Sequence, residues 1–157
     1  MKLLDRKHTT LLADIAVSER SSMRYHNISM RYAEEFLQLK CIAEIVNYRL
    51  FPNFKEITES FGMYEAVRRH LWPLGFKPQH QDITLFSVGD GHTPRTAATF
   101  ALRSAWDCVS IDPNLRDRTY PGLMRMTMWP HKVEDVGALV QTYKQNKPGS
   151  YRAIVVA

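Results

Sequence analysis

The chain has 157 residues, a formal net charge of +5 and 45% hydrophobic residues, enough to bury about two thirds of its unfolded surface in a core that needs neither disulfide nor metal. Its two cysteines, Cys41 and Cys108, lie in apolar stretches and its six histidines show no paired ligand spacing, which argues for reduced packing thiols and against a zinc or disulfide scaffold. The basic residues are scattered, with small groupings at Arg68-Arg69 and Arg116/Arg118, so the positive charge favours anionic partners in general while marking no nucleic-acid-binding tail.

Residues 1–80 read as helical. Asp5, Arg6, Lys7 and Asp14 interrupt the apolar residues of the first segment, so neither a signal peptide nor a membrane span is expected, and a cytoplasmic protein is. A short helix is expected over 9–18 on Leu11, Leu12, Ile15 and Ala16. Ser29 is placed to cap a longer helix over 30–50, in which Tyr32, Phe36, Leu39, Ala43 and Val46 recur at steps of four and three. Pro52 ends it. Asn53 with Glu56 three residues on has the form of a capping box, opening a helix on Ile57, Phe61, Tyr64, Val67 and Leu71 that Gly62 could divide. Trp72-Pro-Leu-Gly75 and Lys77-Pro78 stop the helix and link it to the first strand.

Residues 82–157 change character. Ile83-Thr-Leu-Phe-Ser-Val88 is an almost continuous apolar run, the pattern of a strand buried on both faces. Gly89-Asp-Gly91 breaks it, and Thr93-Pro94 then reads as N-cap and first residue of a helix carrying Ala97, Ala98, Ala101 and Leu102 on one face. Residues 107–112 form a second strand ending in Asp112. A polar connection over 113–121 leads to a third strand over 123–128, where methionines alternate with Arg125 and Thr127, as on an edge strand. Lys132 opens an amphipathic helix reaching Asn146 on Val133, Val136, Val140 and Tyr143, and Lys147-Pro-Gly149 closes it. Residues 151–157 are a fourth strand, apolar on both faces.

A strand, a glycine turn, a helix and a second strand ending in an acid 23 residues after Gly89 form the unit that holds nucleotide cofactors, with backbone N–H groups facing the ligand and the acid on the ribose. Ser87-Val-Gly-Asp-Gly91 with Asp112 resembles the first half of a class I S-adenosylmethionine-dependent methyltransferase, whose pattern is acid-x-Gly-x-Gly after strand one and an acid at the end of strand two. Ser87 stands where that family has Asp or Glu. A dinucleotide fingerprint fits less well, because its third glycine is Pro94 here. The resemblance implies one domain, with a helical extension over 1–80 and a truncated Rossmann-like parallel sheet of four strands in the order 3-2-1-4 over 82–157. It also implies S-adenosylmethionine as cofactor, held by Gly89, Gly91 and Asp112, with methyl transfer as the activity. Trp129 or His131 would border the base, unless Trp129 simply covers the end of the sheet.

The remaining loop residues each carry two readings. His92 is a base or a structural hydrogen-bond partner. Arg95, a cation in the first turn of a helix, is kept for an anion or turned towards Asp90 or Asp112. Asp90 contacts ligand or tolerates an unusual backbone. The alternative function is a non-catalytic methyltransferase-like subunit assembling into a larger complex. Another chain, a second copy or the N-terminal helices would cover the strand over 151–157, with RNA contact a further option and no membrane partner.

Overall fold

The computed structural model describes residues 30–146 and 152–157; the helix expected over 9–18 and the turn over 147–149 lie outside them. Its α-carbon packing forms two compact units, one ending at Met63 and one spanning Tyr64–Ala157. The first contains helices α1 (Met30–Leu37) and α2 (Ile42–Asn47) and the start of α3 (Phe54–Leu71). The second contains the rest of α3, strand β1 (Ile83–Val88), α4 (Arg95–Arg103), β2 (Asp107–Ile111), β3 (Met126–Trp129), a 3-10 turn at Val133–Asp135, α5 (Val136–Asn146) and β4 (Arg152–Val156).

In the first unit, the single helix expected over 30–50 is two. The N–H of Gln38 is shared between the carbonyls of Glu34 and Glu35, and Leu39 and Ile42 bond back only three residues, so the turn tightens and the helix stops. The break shifts the phase of the apolar stripe: Phe36, Ile42, Ile45, Val46 and Leu50 are buried, whereas Leu37 is exposed. Phe36 sits edge-on to Phe51 and Phe61, with centroids 5.8 and 6.0 Å away. α2 ends with Arg49 at φ 50°. There Leu50 N–H bonds to Ile45 C=O and Arg49 N–H to Val46 C=O, the Schellman pairing that satisfies the last carbonyls.

Asn53 caps α3, its Oδ1 accepting the Glu56 N–H at 3.0 Å, as the sequence pattern requires. The helix runs through Gly62 without dividing, since the surrounding apolar positions Ile57, Phe61 and Tyr64 keep one buried face. A Cβ at Gly62 would meet only the Tyr32 Cε2 at 4.0 Å, an ordinary contact. Gly62→Ala is therefore expected to raise stability by about 0.5–1 kcal/mol through helix propensity, read as a higher denaturation midpoint at unchanged slope.

In the second unit the four strands form one parallel sheet in the order β3-β2-β1-β4, a Rossmann-like arrangement as expected. Register places Phe86 beside Val109, and Val88 beside Ile111. With Trp129 they form the face on which Val136, Leu139, Val140 and Tyr143 of α5 pack. The small residues Ala97, Ala98 and Ala101 of α4 are buried, and they let that helix approach β1 and β2 closely. Beside them Phe100 stacks on Trp106 at 5.7 Å and meets Tyr64 at 5.0 Å. Arg125 closes α4 by donating to the carbonyls of Ser104 and Ala101 at 2.7 and 3.3 Å.

β3 begins at Met126, three residues later than expected. Pro121-Gly122 closes a turn in which Leu123 N–H bonds to Tyr120 C=O, and Met126 N–H then bonds to Leu123 C=O, so 121–125 cannot extend. The helix expected from Lys132 begins as the 3-10 turn and becomes α-helical only at Val136. No helix among the described residues is long and apolar enough to cross a membrane.

Arg152 anchors β4. Its Nε and Nη2 donate to the two oxygens of Asp82 at 2.9 and 3.1 Å, Nη1 donates to Gly75 C=O at 2.9 Å, and the guanidinium lies 4.9 Å from the Phe76 ring centroid. This hydrogen bond holds the Asp82 carboxyl below its ordinary pKa. A lowered native pKa gives stability that is present above the unfolded value and lost as pH falls through the native one. Arg152→Met should therefore lower stability above about pH 4 and lose that deficit as pH falls below it, measured as a flatter dependence of denaturation midpoint on pH in the acid range.

Candidate functional site

The loop between β1 and α4 is built by its two glycines and two carboxylates. Gly89 and Gly91 have φ of 82° and 75°, a region that side chains with a Cβ enter only at a cost. Gly89 N–H continues the ladder to Ile111 C=O at 2.9 Å, and Asp112 N–H does the same to Trp129 C=O at 3.2 Å. The strands thus deliver Gly89, Asp112 and the residues after Trp129 to the carboxyl edge of the sheet, where α/β proteins bind their ligands.

Asp112 Oδ2 accepts the Gly91 N–H at 2.8 Å and Oδ1 accepts the Asn114 N–H at 2.7 Å. One carboxylate therefore ties the glycine turn to the loop leaving β2. A second tie is His92, whose Nδ1 lies 3.0 Å from Asn114 C=O and whose own C=O accepts the Arg116 N–H. The imidazole is exposed.

Asp90 turns inward. It is 2% exposed, and its Oδ1 accepts the Thr96 N–H at 3.0 Å while Oδ2 accepts the Ala97 N–H at 3.1 Å and the Ser110 hydroxyl at 2.8 Å. Asp90 thus satisfies two N–H groups of the first turn of α4, while Pro94 occupies the N-cap position at ψ 50° with no side-chain cap bond. Burial pushes the Asp90 carboxyl above the ordinary carboxylate range, against the pull of the Ser110 hydroxyl and the two helix N–H groups. Arg95 folds back across the turn: its guanidinium donates to the Asp90 carbonyl, and its Nη1 lies 2.9 Å from where a Cβ of Gly91 would stand. Ser87 is buried on β1 and registers against Ser110.

A cleft of about 380 Å³ lies at this edge, lined by Val88, Gly89, Ile111, Asp112, Pro113, His131, Lys132, Val133 and Glu134, a size at the lower end of small-ligand sites, roughly 300–1,000 Å³. Of the candidate residues it brings together Gly89, Asp112 and His131. Gly91 supports them from behind through Asp112, and Asp90 and Arg95 shape the loop. Trp129 packs against Phe86 and Tyr143, at 6.3 and 6.0 Å, so its ring covers the sheet rather than lining the cleft, whereas His131 does line it. Lys132 and Glu134 were not singled out by sequence, because a helical reading of that segment points neither of them at a ligand. Only the loop-like start before Val136 brings both to the cleft.

The cleft joins open backbone, an apolar wall and a carboxylate. A Cβ on Gly89 would meet nothing within 4 Å, which leaves backbone open to close approach. Val88, Ile111 and Val133 offer apolar wall, and Asp112 lines the same cleft. Among the described residues no group of three His, Cys, Asp or Glu side chains could hold a metal ion. No protein-family model, no curated protein and no solved structure matches the chain.

Proposed function

We propose that the chain binds a nucleoside cofactor of the S-adenosylmethionine type in this cleft, with methyl transfer as the activity such a cofactor implies. The observation that carries the reading is Asp112 at the end of β2. Each of its oxygens accepts one backbone N–H, and a carboxylate oxygen has a second lone-pair site, so both can still take a ribose hydroxyl. Gly89 beside it leaves room for the sugar to approach the backbone, and the apolar wall suits a purine. S-adenosylmethionine carries its own electrophilic methyl group; the protein's part is to bind, orient and exclude water.

Calorimetry with S-adenosylmethionine and S-adenosylhomocysteine tests this. Wild type is expected to bind, and Asp112→Asn, which sets an amide donor against one of the two N–H groups and offers the ribose one acceptor fewer, should bind at least about tenfold more weakly, roughly 1.4 kcal/mol. Gly89→Ala, which adds a methyl to the open side of the loop, should weaken binding similarly. Equal affinity in both variants, or no binding by wild type, would defeat the reading.

The open edge of β4 favours a second reading, a methyltransferase-like subunit that assembles through this strand. Among the described residues β4 pairs only with β1, and Val155 is 61% exposed, leaving strand edge and apolar surface for another chain. Sedimentation as a monomer, together with rapidly exchanging β4 amides, would remove it.

A further inference from the structure

In nucleotide-binding βαβ units the first turn of the helix is the phosphate site, because its N–H groups lack intrahelical partners and the dipole is positive there. In this chain that position is filled from within. The carboxylate of Asp90 takes the N–H groups of Thr96 and Ala97 and is itself held by Ser110. Gly91 N–H, the donor a pyrophosphate would meet on the turn, is taken by Asp112. The nearby cation, Arg95, donates to the Asp90 carbonyl. Within the cleft the carboxylates of Asp112 and Glu134 outnumber the one ammonium, Lys132.

We propose that Asp90 is a specificity-determining residue: its carboxylate occupies the anion site of the loop, so the cleft accepts an adenosine whose 5′ substituent is neutral or cationic and rejects one bearing a 5′-phosphate or pyrophosphate. The proposal rests on the nucleoside reading above and narrows it to phosphate-free ligands. A phosphate could reach the helix N–H groups only by displacing the Asp90 carboxylate from its three donors. It would then lie against that carboxylate in a site with little water, where like charges repel strongly. Asp90 acts through the helix, without touching the nucleoside.

Amide NMR of the full chain under pyrophosphate titration reads this directly. In wild type the Thr96 and Ala97 amides should hold their positions at millimolar pyrophosphate. In Asp90→Ser, which keeps a neutral acceptor and removes the charge, the same amides should shift saturably; Asp90→Asn serves if the serine variant does not fold. In parallel, wild type should bind S-adenosylhomocysteine and 5′-methylthioadenosine at least about tenfold more tightly than adenosine 5′-monophosphate. Saturable shifts of Thr96 and Ala97 in wild type, unmoved amides in a folded Asp90 variant, or equal affinity for the monophosphate would each overturn the proposal. Failure of every nucleoside to bind would instead sink the nucleoside reading, while the pyrophosphate titration would still decide what Asp90 excludes.

Discussion

Replacing Asp90 by alanine is expected to destabilise the fold by about 2–4 kcal/mol, combining the loss of a helix cap, about 1–2 kcal/mol, with a buried Ser110 hydroxyl deprived of this acceptor, about 1–3 kcal/mol. Relief of the carboxylate's own desolvation offsets part of that sum. Asp90→Asn should cost less, about 1–3 kcal/mol, because one oxygen can still accept from a helix N–H while the new amide faces a donor. The pH dependence separates the carboxylate from its shape. Burial raises the native pKa, so the unfolded chain releases its proton first; what Asp90 contributes is full below the unfolded pKa, about 3.9, and declines as pH rises through the native one. The stability gap between wild type and Asp90→Asn should therefore narrow with rising pH above about pH 4. Urea denaturation at a series of pH values measures it, and a gap that widens instead would show that the three donors outweigh burial.

Trp106→Ala should be the most damaging single change in the sheet unit, about 3–5 kcal/mol. The indole is 1% exposed and stacks on Phe100 with 13° between the rings. Its N–H donates to Lys77 C=O at 2.8 Å, beside the bond from Ala105 N–H to Pro78 C=O. Trp106 thus closes the entry to β2 against the linker before β1. Trp106→Phe keeps a ring on Phe100 but removes the indole donor and some volume, so it should cost roughly 1–3 kcal/mol. A difference between the two variants of less than a few tenths of a kcal/mol would mean that the ring contact contributes little.

Much of the sheet unit was legible because its signals are local. A short apolar run bounded by glycines permits few alternatives to a buried strand, and the bounds of β1 agree with the expectation to the residue. The order β3-β2-β1-β4 agrees with what the resemblance to a doubly wound nucleotide-binding unit implies. The N-terminal helices were less legible. The stripe through Tyr32, Phe36 and Leu39 fits one continuous helix, and only the packing that buries Ile42 and Ile45 while leaving Leu37 exposed selects the break. Likewise, alternation around Met124 suits a strand, yet the turn closed at Tyr120 and Leu123 overrides it, because a turn's geometry excludes extension whatever the side-chain pattern.

For the candidate site, sequence by itself determined the glycine turn, the acid ending β2 and their spacing, since backbone freedom at Gly89 and Gly91 and the length of a βαβ unit are properties of the chain. Tertiary structure alone decided what each carboxylate does. Asp90 reaches Ser110 on the neighbouring strand as well as the helix ahead of it, and Asp112 reaches back 21 residues to Gly91. The two acids have the same chemistry and stand beside the same turn. Both are buried; what separates them is their partners, since one takes the N–H groups of the helix as its cap while the other ties the glycine turn to the loop after β2 and lines the cleft.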